Sequence, residues 1–255
     1  MDSVGFSAIS TAKAALGSFI KIQGVALGNI DFTNLFMKGV AKMLPRTPKY
    51  SDIWDPQQVL EFLKKWGPAK LLNLMQLSVK TVLLVLLATG HRPQTMVHFS
   101  LDNLRMKKSV FKFTITENLK HSRGNAPATE VEIQTFPADK RICPINYLTA
   151  YMNRTKSIRT SRKIFITTTA PHNAVSVDTI SRWVKFGLQR SGINVKKFAP
   201  GSIRAASTNA AYRQGAPLQT ILKAAHWSSS STFATWYKKP LEKPTISFQQ
   251  AVFKK

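Results

Sequence analysis

The chain has 255 residues, 44% of them apolar, enough for one large domain, or a large and a small one, with a buried core. Lys and Arg number 37 against 12 Asp and Glu, and the resulting formal charge of +25 repels itself unless a polyanion neutralises it, which makes nucleic acid the expected partner. The single Cys143 excludes an internal disulfide framework and leaves too few ligands for a zinc site, while the longest apolar run, Val82 to Ala88, is too short to span a membrane.

The N-terminus lacks the charged-then-apolar pattern of a signal peptide, so a reducing, intracellular compartment is expected. Two helical stretches, Ala8 to Ile20 and Leu35 to Met43, flank Gly24 and Gly28, and Pro45 and Pro48 close the segment. Closely spaced prolines stiffen a chain and cannot sit inside a helix or central strand, so PRTPKYSDIWDP reads as a linker with a boundary near Pro45 to Asp55. Beyond it the periodicity predicts helices over Gln57 to Trp66 and Ser78 to Thr89, the second strongly apolar. Trp54, Trp66 and Trp183 read as core aromatics.

A short β section follows. Val110 to Thr116 and Thr129 to Thr135 both alternate apolar with polar residues, and the polar connector between them, with Gly124 and Pro127, makes a hairpin with a long loop. Further helices are predicted over Ile145 to Asn153, Val177 to Arg190, Ile203 to Arg213, from Pro217 onward, and in a last short element that carries Tyr237 and stops at Pro240. From Lys140 to Leu241 the only acidic residue is Asp178, against 17 Lys or Arg, so this half offers a basic surface. The basic residues are scattered rather than massed in a juxtamembrane block, which argues against a membrane partner.

Breaking a phosphodiester with a tyrosine needs a phenol to attack, cations around the non-bridging oxygens and an acid for the departing 5′ oxygen. Arg92, in TGHRPQT at the end of the most apolar helix, and Arg204, near a helix N-terminus in APGSIRAAS, are placed to bind phosphate with a planar fork. Lys120 lies in the hairpin loop as a candidate acid, and Tyr237 lies in FATWYKKP beside Lys238 and Lys239. A lone Arg in a basic chain ordinarily faces solvent or phosphate, and a lone Tyr is ordinarily core. The order of the set carries the information.

That order, TGHRPQT, a hairpin Lys, a helix starting SIRAAS, then HWSSSSTFATWY, resembles the tyrosine recombinase or phage integrase family. PKYSDIWDPQQVLEFL and WSSSSTFATWY are most similar to recombinases of DIRS-type eukaryotic retroelements, and the similarity covers roughly Ser7 to Pro240. The resemblance implies a mainly α fold with a small β-hairpin or sheet: a partial helical core-binding domain over 1–47, a catalytic domain over 48–240 and a tail over 241–255. It implies Arg92 and Arg204 as phosphate clamps, Lys120 as the acid, Trp227 as the hydrogen-bonding box residue and Tyr237 as nucleophile. His91, His121, Arg123, Ser202, Lys238 and Lys239 are the expected DNA contacts. It further implies a nuclear enzyme of DNA recombination and integration for a mobile element, acting on double-stranded DNA as a tetramer on two duplexes, with no metal or other cofactor and no membrane.

The pattern departs in three places. Gly201 stands where the box His should precede Arg204, Thr95 stands where an acidic residue often follows Arg92, and only about two helices fit before Pro45. The missing imidazole puts activity in doubt. His226 is an auxiliary candidate to compensate, although a surface or packing role suits it better. A catalytically impaired, element-derived DNA-binding protein and a type IB topoisomerase-like enzyme are therefore the alternatives. In the terminal SFQQAVFKK, Phe248, Ala251 and Val252 share a helical spacing that suits docking on a neighbouring protomer or on the chain's own domain.

Overall fold

The structure, a computed structural model, describes residues 4–45, 47–117 and 128–242. The chain divides into two units, Met1–Lys49 and Tyr50–Lys255.

In the first unit, helix α1 (Phe6–Phe19) and helix α2 (Asp31–Met43) are joined by a hairpin of β1 (Lys21–Ile22) and β2 (Val25–Ala26). Gln23 and Gly24 at its tip both have positive φ, 49° and 81°, as a two-residue turn matching strand twist requires. Strands of two residues are too short to show alternation, so the sequence marks this place only by its glycine. On α2, Thr33, Met37 and Val40 turn inward, while Phe32, Phe36 and Met43 form a second apolar arc that stays exposed.

The second unit is built around one helix. Helix α3 (Pro56–Lys65) starts at Asp55, whose side chain accepts from the Gln57 N–H at 3.0 Å, with Pro56 in the first turn. Helix α4 (Leu74–Thr89) opens with a reciprocal cap: Asn73 Oδ1 accepts from the Gln76 N–H at 2.9 Å, and Gln76 Oε1 accepts from the Asn73 N–H at 3.1 Å. The cap starts the helix four residues before Ser78, where the apolar run places it. Every residue from Leu77 to Leu86 is buried, because helices α5 (Pro144–Thr155), α6 (Val177–Arg190) and α7 (Ser202–Arg213) all pack against α4.

Two residues show how tightly α4 is enclosed. A Cβ on Gly187 of α6 would lie 2.4 Å from Leu83 Cδ1 and 2.9 Å from Val79 Cγ1, so the two helices approach where only glycine fits. Lys80 is fully buried; its Nζ donates to the carbonyls of Leu63 at 2.6 Å and Gly67 at 3.1 Å and lies 4.2 Å above the Tyr147 ring. Burial pulls its pKa down to about 8.

The sheet has three antiparallel strands in the order β3 (Leu104–Met106), β4 (Val110–Ile115), β5 (Thr129–Gln134). The alternation read in β4 and β5 is observed: Phe111 pairs with Ile133 and Phe113 with Val131 on the buried face, while Lys112 Nζ reaches Glu130 at 2.6 Å on the other. Strand β3, three residues long and mostly exposed, carries no such signal. The hairpin connector with Lys120, His121 and Arg123 lies outside the described residues, as does the C-terminal tail from residue 243.

The linker expectation needs correction from Tyr50 onward. Ile53 and Trp54 are core residues, and Ile53 exchanges backbone hydrogen bonds with the far end of the unit: its N–H donates to Pro240 O at 2.9 Å, and its carbonyl accepts from Glu242 N at 2.7 Å. The stiffening by Pro45 and Pro48 ends before these apolar residues begin. Trp183 is buried and Trp66 packs, partly buried, against the same core. Helix α8 (Leu218–Ala224) and helix α9 (Ser230–Thr232) are the last helices among the described residues, α9 widening into a π turn over Phe233–Tyr237 that closes with Lys238 N donating to Phe233 O at 2.8 Å. The architecture is mainly helical with a small sheet, and no helix among the described residues is long and apolar enough to cross a membrane.

Candidate active site

Gly90 ends α4 in the left-handed conformation, φ 65°, and turns the chain so that its carbonyl meets α7 and Arg92 emerges beside it. Pro93 then begins a 3-10 turn whose residue Thr95 donates its N–H to Arg92 O at 2.9 Å. Thr95 thus braces Arg92 through the backbone. The Arg92 side chain reaches across to the π turn, with Nη2 at 3.5 Å from the Tyr237 hydroxyl oxygen.

Arg204 is the third residue of α7 and is 2% exposed. Its Nη1 donates to Gly90 O at 3.2 Å and its Nη2 to Ala225 O at 2.5 Å. Its Nε is buried and has no acceptor among the described residues. The guanidinium carbon lies 4.6 Å from the Trp227 ring centre and 5.8 Å from that of Tyr237, and those two rings are 4.3 Å apart. Burial, with the charge of Arg92 adding and Tyr237 opposing, pushes the Arg204 pKa down to about 10, which leaves it charged at neutral pH.

The structure therefore brings together Arg92, Arg204, Trp227 and Tyr237. Trp227 enters by packing its ring against the guanidinium of Arg204 and, tilted by 45°, against the phenol ring. Lys238 is exposed, its Nζ 5.0 Å from the Tyr212 ring centre, and Lys239 N donates to Asn209 Oδ1 at 2.9 Å. Gly201 caps α7 at the surface, and no atom lies within 4 Å of where its Cβ would be.

Two expected DNA contacts are turned inward. Ser202 is 1% exposed and its hydroxyl accepts from Trp54 Nε1 at 2.9 Å, because the first residue of α7 packs on the domain's opening segment. His91 is 5% exposed and packs its ring on His226, centroids 5.1 Å apart. His226 is exposed, with Nε2 at 3.0 Å from Glu130 O; partial desolvation by its neighbours lowers its pKa, with the Glu130 carbonyl opposing and Arg204 assisting.

Residue-by-residue reading of the sequence misses Asn209. Buried in α7, it donates Nδ2 to Tyr237 O and accepts from Lys239 N, so it grips the backbone on both sides of Lys238. Its signal is a carboxamide one turn beyond Arg204 within the small-residue run AASTNAA. The Gly90 and Ala225 carbonyls have no side-chain signal at all.

A phenol flanked by two guanidiniums, one almost wholly desolvated, has the chemistry to set an oxygen nucleophile beside an anionic centre such as phosphate. The sequence signature of the phage integrase family matches residues 55–243, most of the chain, and the chain belongs to that family. Solved structures agree in fold. The Tn1549 transposon integrase in complex with transposon right end DNA matches at TM-score 0.59 and 15% identity, over 98% of this chain and 78% of that one. XerH site-specific recombinase bound to its difH substrate matches at 0.58 and 11%, over 90% and 59%. A lambda integrase dimer on a COC′ core site matches at 0.54 and 13%, over 95% and 63%. The chain thus spans less than two thirds of the XerH and lambda integrase chains. No curated protein sequence matches it significantly.

Proposed function

We propose that the chain breaks and rejoins DNA strands through a covalent 3′-phosphotyrosyl link at Tyr237, in site-specific recombination or integration. The observation that carries this reading is the meeting of Arg92 and Arg204 at the Tyr237 phenol. The Tyr237 phenol gives up its proton as its oxygen attacks phosphorus, the bond to the 5′ oxygen breaks, and that oxygen takes up a proton, so no net proton is gained or lost; rejoining reverses each step. Arg92 and Arg204 hold the non-bridging oxygens, and a phosphate oxygen supplies the acceptor that no described residue offers Arg204 Nε. Trp227 fixes the guanidinium plane and packs on the phenol ring. Lys120 is assigned the acid role from its position in the sequence alone. The phosphotyrosyl bond conserves the energy of the cleaved phosphodiester, so the scheme uses no cofactor.

The proposed setting is double-stranded DNA of a mobile element, with DIRS-type retroelement recombinases as the subgroup, the nucleus as the compartment and a tetramer on two duplexes as the working assembly. Relatives with this fold include a lambda integrase dimer on its core site and the transposon integrase on transposon DNA, which supports DNA as partner. Gly201 favours a second reading, a DNA-binding protein with impaired catalysis, since the position supplies no side chain to a proton or a phosphate.

The test uses a suicide duplex whose cleaved 5′ fragment diffuses away. A covalent protein–DNA adduct absent from Tyr237→Phe supports strand cleavage, and tight binding without adduct supports the second reading. Plasmid relaxation without exchange of partners would assign the chemistry to a type IB topoisomerase instead.

A further inference from the structure

Two tripeptides meet at the site, and each residue of one has a counterpart in the other. The carbonyls of Gly90 and Ala225 both accept from Arg204, the rings of His91 and His226 pack on each other, and the side chains of Arg92 and Trp227 both reach Tyr237. The backbone of the second tripeptide is strained. His226 N donates to Lys223 O at 3.1 Å and Trp227 N to Leu222 O at 2.9 Å, the paired bonds of a Schellman helix end, with His226 at φ 49° in the left-handed position usually given to glycine. A histidine there is less stable than glycine by about 1 kcal/mol. Its ring must therefore contribute something that glycine cannot.

We infer that the His91–His226 ring pair is a positioning device, holding the 225–227 turn against the 90–92 segment so that the Ala225 carbonyl and the Trp227 ring stay on Arg204. His91 is the anchored half, buried at the end of α4. His226 is the presented half, tied by Nε2 to the Glu130 carbonyl of β5. Without the pair, Arg204 alone among the described residues bridges the turn to the α4 end through Gly90 O and Ala225 O, and the Ala225 carbonyl and the Trp227 ring are held less firmly on it. Neither histidine touches the reacting atoms in this scheme. Among the described residues, Arg204 and Glu130 act on His226, and Glu130 is already paired with Lys112.

The inference rests on the cleavage reading for its effect on rate, but its geometric part can be read without any cleavage. In hydrogen exchange of the free protein, His91→Ala is expected to speed exchange across residues 225–237 at least tenfold, and His91→Phe, which keeps a ring, to restore protection. His226→Gly relieves the strained backbone, so its melting temperature is expected to equal or exceed that of wild type while adduct formation on the suicide duplex falls at least tenfold at unchanged DNA affinity. A purely structural histidine would lower stability and activity together. Unchanged exchange in His91→Ala, or wild-type adduct formation in His226→Gly, overturns the inference. Absence of adduct from wild type itself, with exchange responding as stated, overturns cleavage and leaves the positioning standing.

Discussion

The Arg92 guanidinium and the Tyr237 hydroxyl stand 3.5 Å apart although 145 residues separate them in the chain. Arg204 completes the arrangement from a third element and is the most buried charge in it. Arg204→Lys keeps the charge but cannot donate to Gly90 O and Ala225 O while facing a phosphate as well. Adduct formation is expected to fall roughly a hundredfold or more, and urea unfolding to show a loss of about 1–3 kcal/mol as buried carbonyls lose donors. A lysine variant with wild-type cleavage would remove Arg204 from the clamp.

Gly201→His tests whether the absent imidazole limits the rate. The position has ordinary helical geometry, φ −66° and ψ −14°, and open space around its Cβ. Stability should therefore change by no more than about 0.5 kcal/mol, while single-turnover adduct formation should rise about tenfold or more. No gain in rate would mean that the site works, or fails, for reasons other than this substitution.

Much of the fold is legible in the sequence where side-chain pattern decides structure. The periodicity of α6 gives the bounds Val177 and Arg190 that the structure shows, because Ser176 caps the start and Gly192, at φ 83°, ends it. The β4–β5 pair follows from alternation alone. The site is legible only in part. The order of Arg92, Arg204, Trp227 and Tyr237 points to residues that do meet, but nothing in a sequence marks a backbone carbonyl such as Ala225 O as a partner for Arg204. Ser202 and His91, expected as DNA contacts, are buried here, and a polar residue's place beside a functional one does not reveal such packing. The left-handed His226 hides its turn, since glycine is the usual sign of such an end.

Gly187→Ala opposes two effects of known size. Alanine favours a helix by about 1 kcal/mol over glycine, but its methyl would press into Leu83 and Val79, both fully buried in α4. Overpacking of this kind costs about 1–3 kcal/mol, so the net change should be destabilising. Thermal unfolding checks it, and a melting temperature at or above that of wild type would contradict the close approach of α4 and α6.

Lys80 makes stability depend on alkaline pH. Its folded-state pKa of about 8 lies below the ordinary 10.5, so the folded state releases the proton first as pH rises. Between those two values the unfolded chain binds more protons, and stability rises with pH; below about 8 both states are protonated and the penalty for burying the charge is fully present. Relative to Lys80→Met, wild type should gain on the order of 2 kcal/mol between pH 8 and 10.5. Urea midpoints of both proteins across that range give the comparison, and a constant difference would show that the Leu63 and Gly67 carbonyls hold Lys80 charged throughout.

The central claim is that a phenol near the C-terminus attacks a phosphate held by two arginines brought in from other elements. The most direct measurement is to trap the protein on a suicide duplex, digest it, and identify by mass spectrometry the peptide that carries the nucleotide. The phosphodiester is expected on Tyr237, with no adduct in Tyr237→Phe. Attachment at any other residue, or an adduct that persists in that variant, would contradict it.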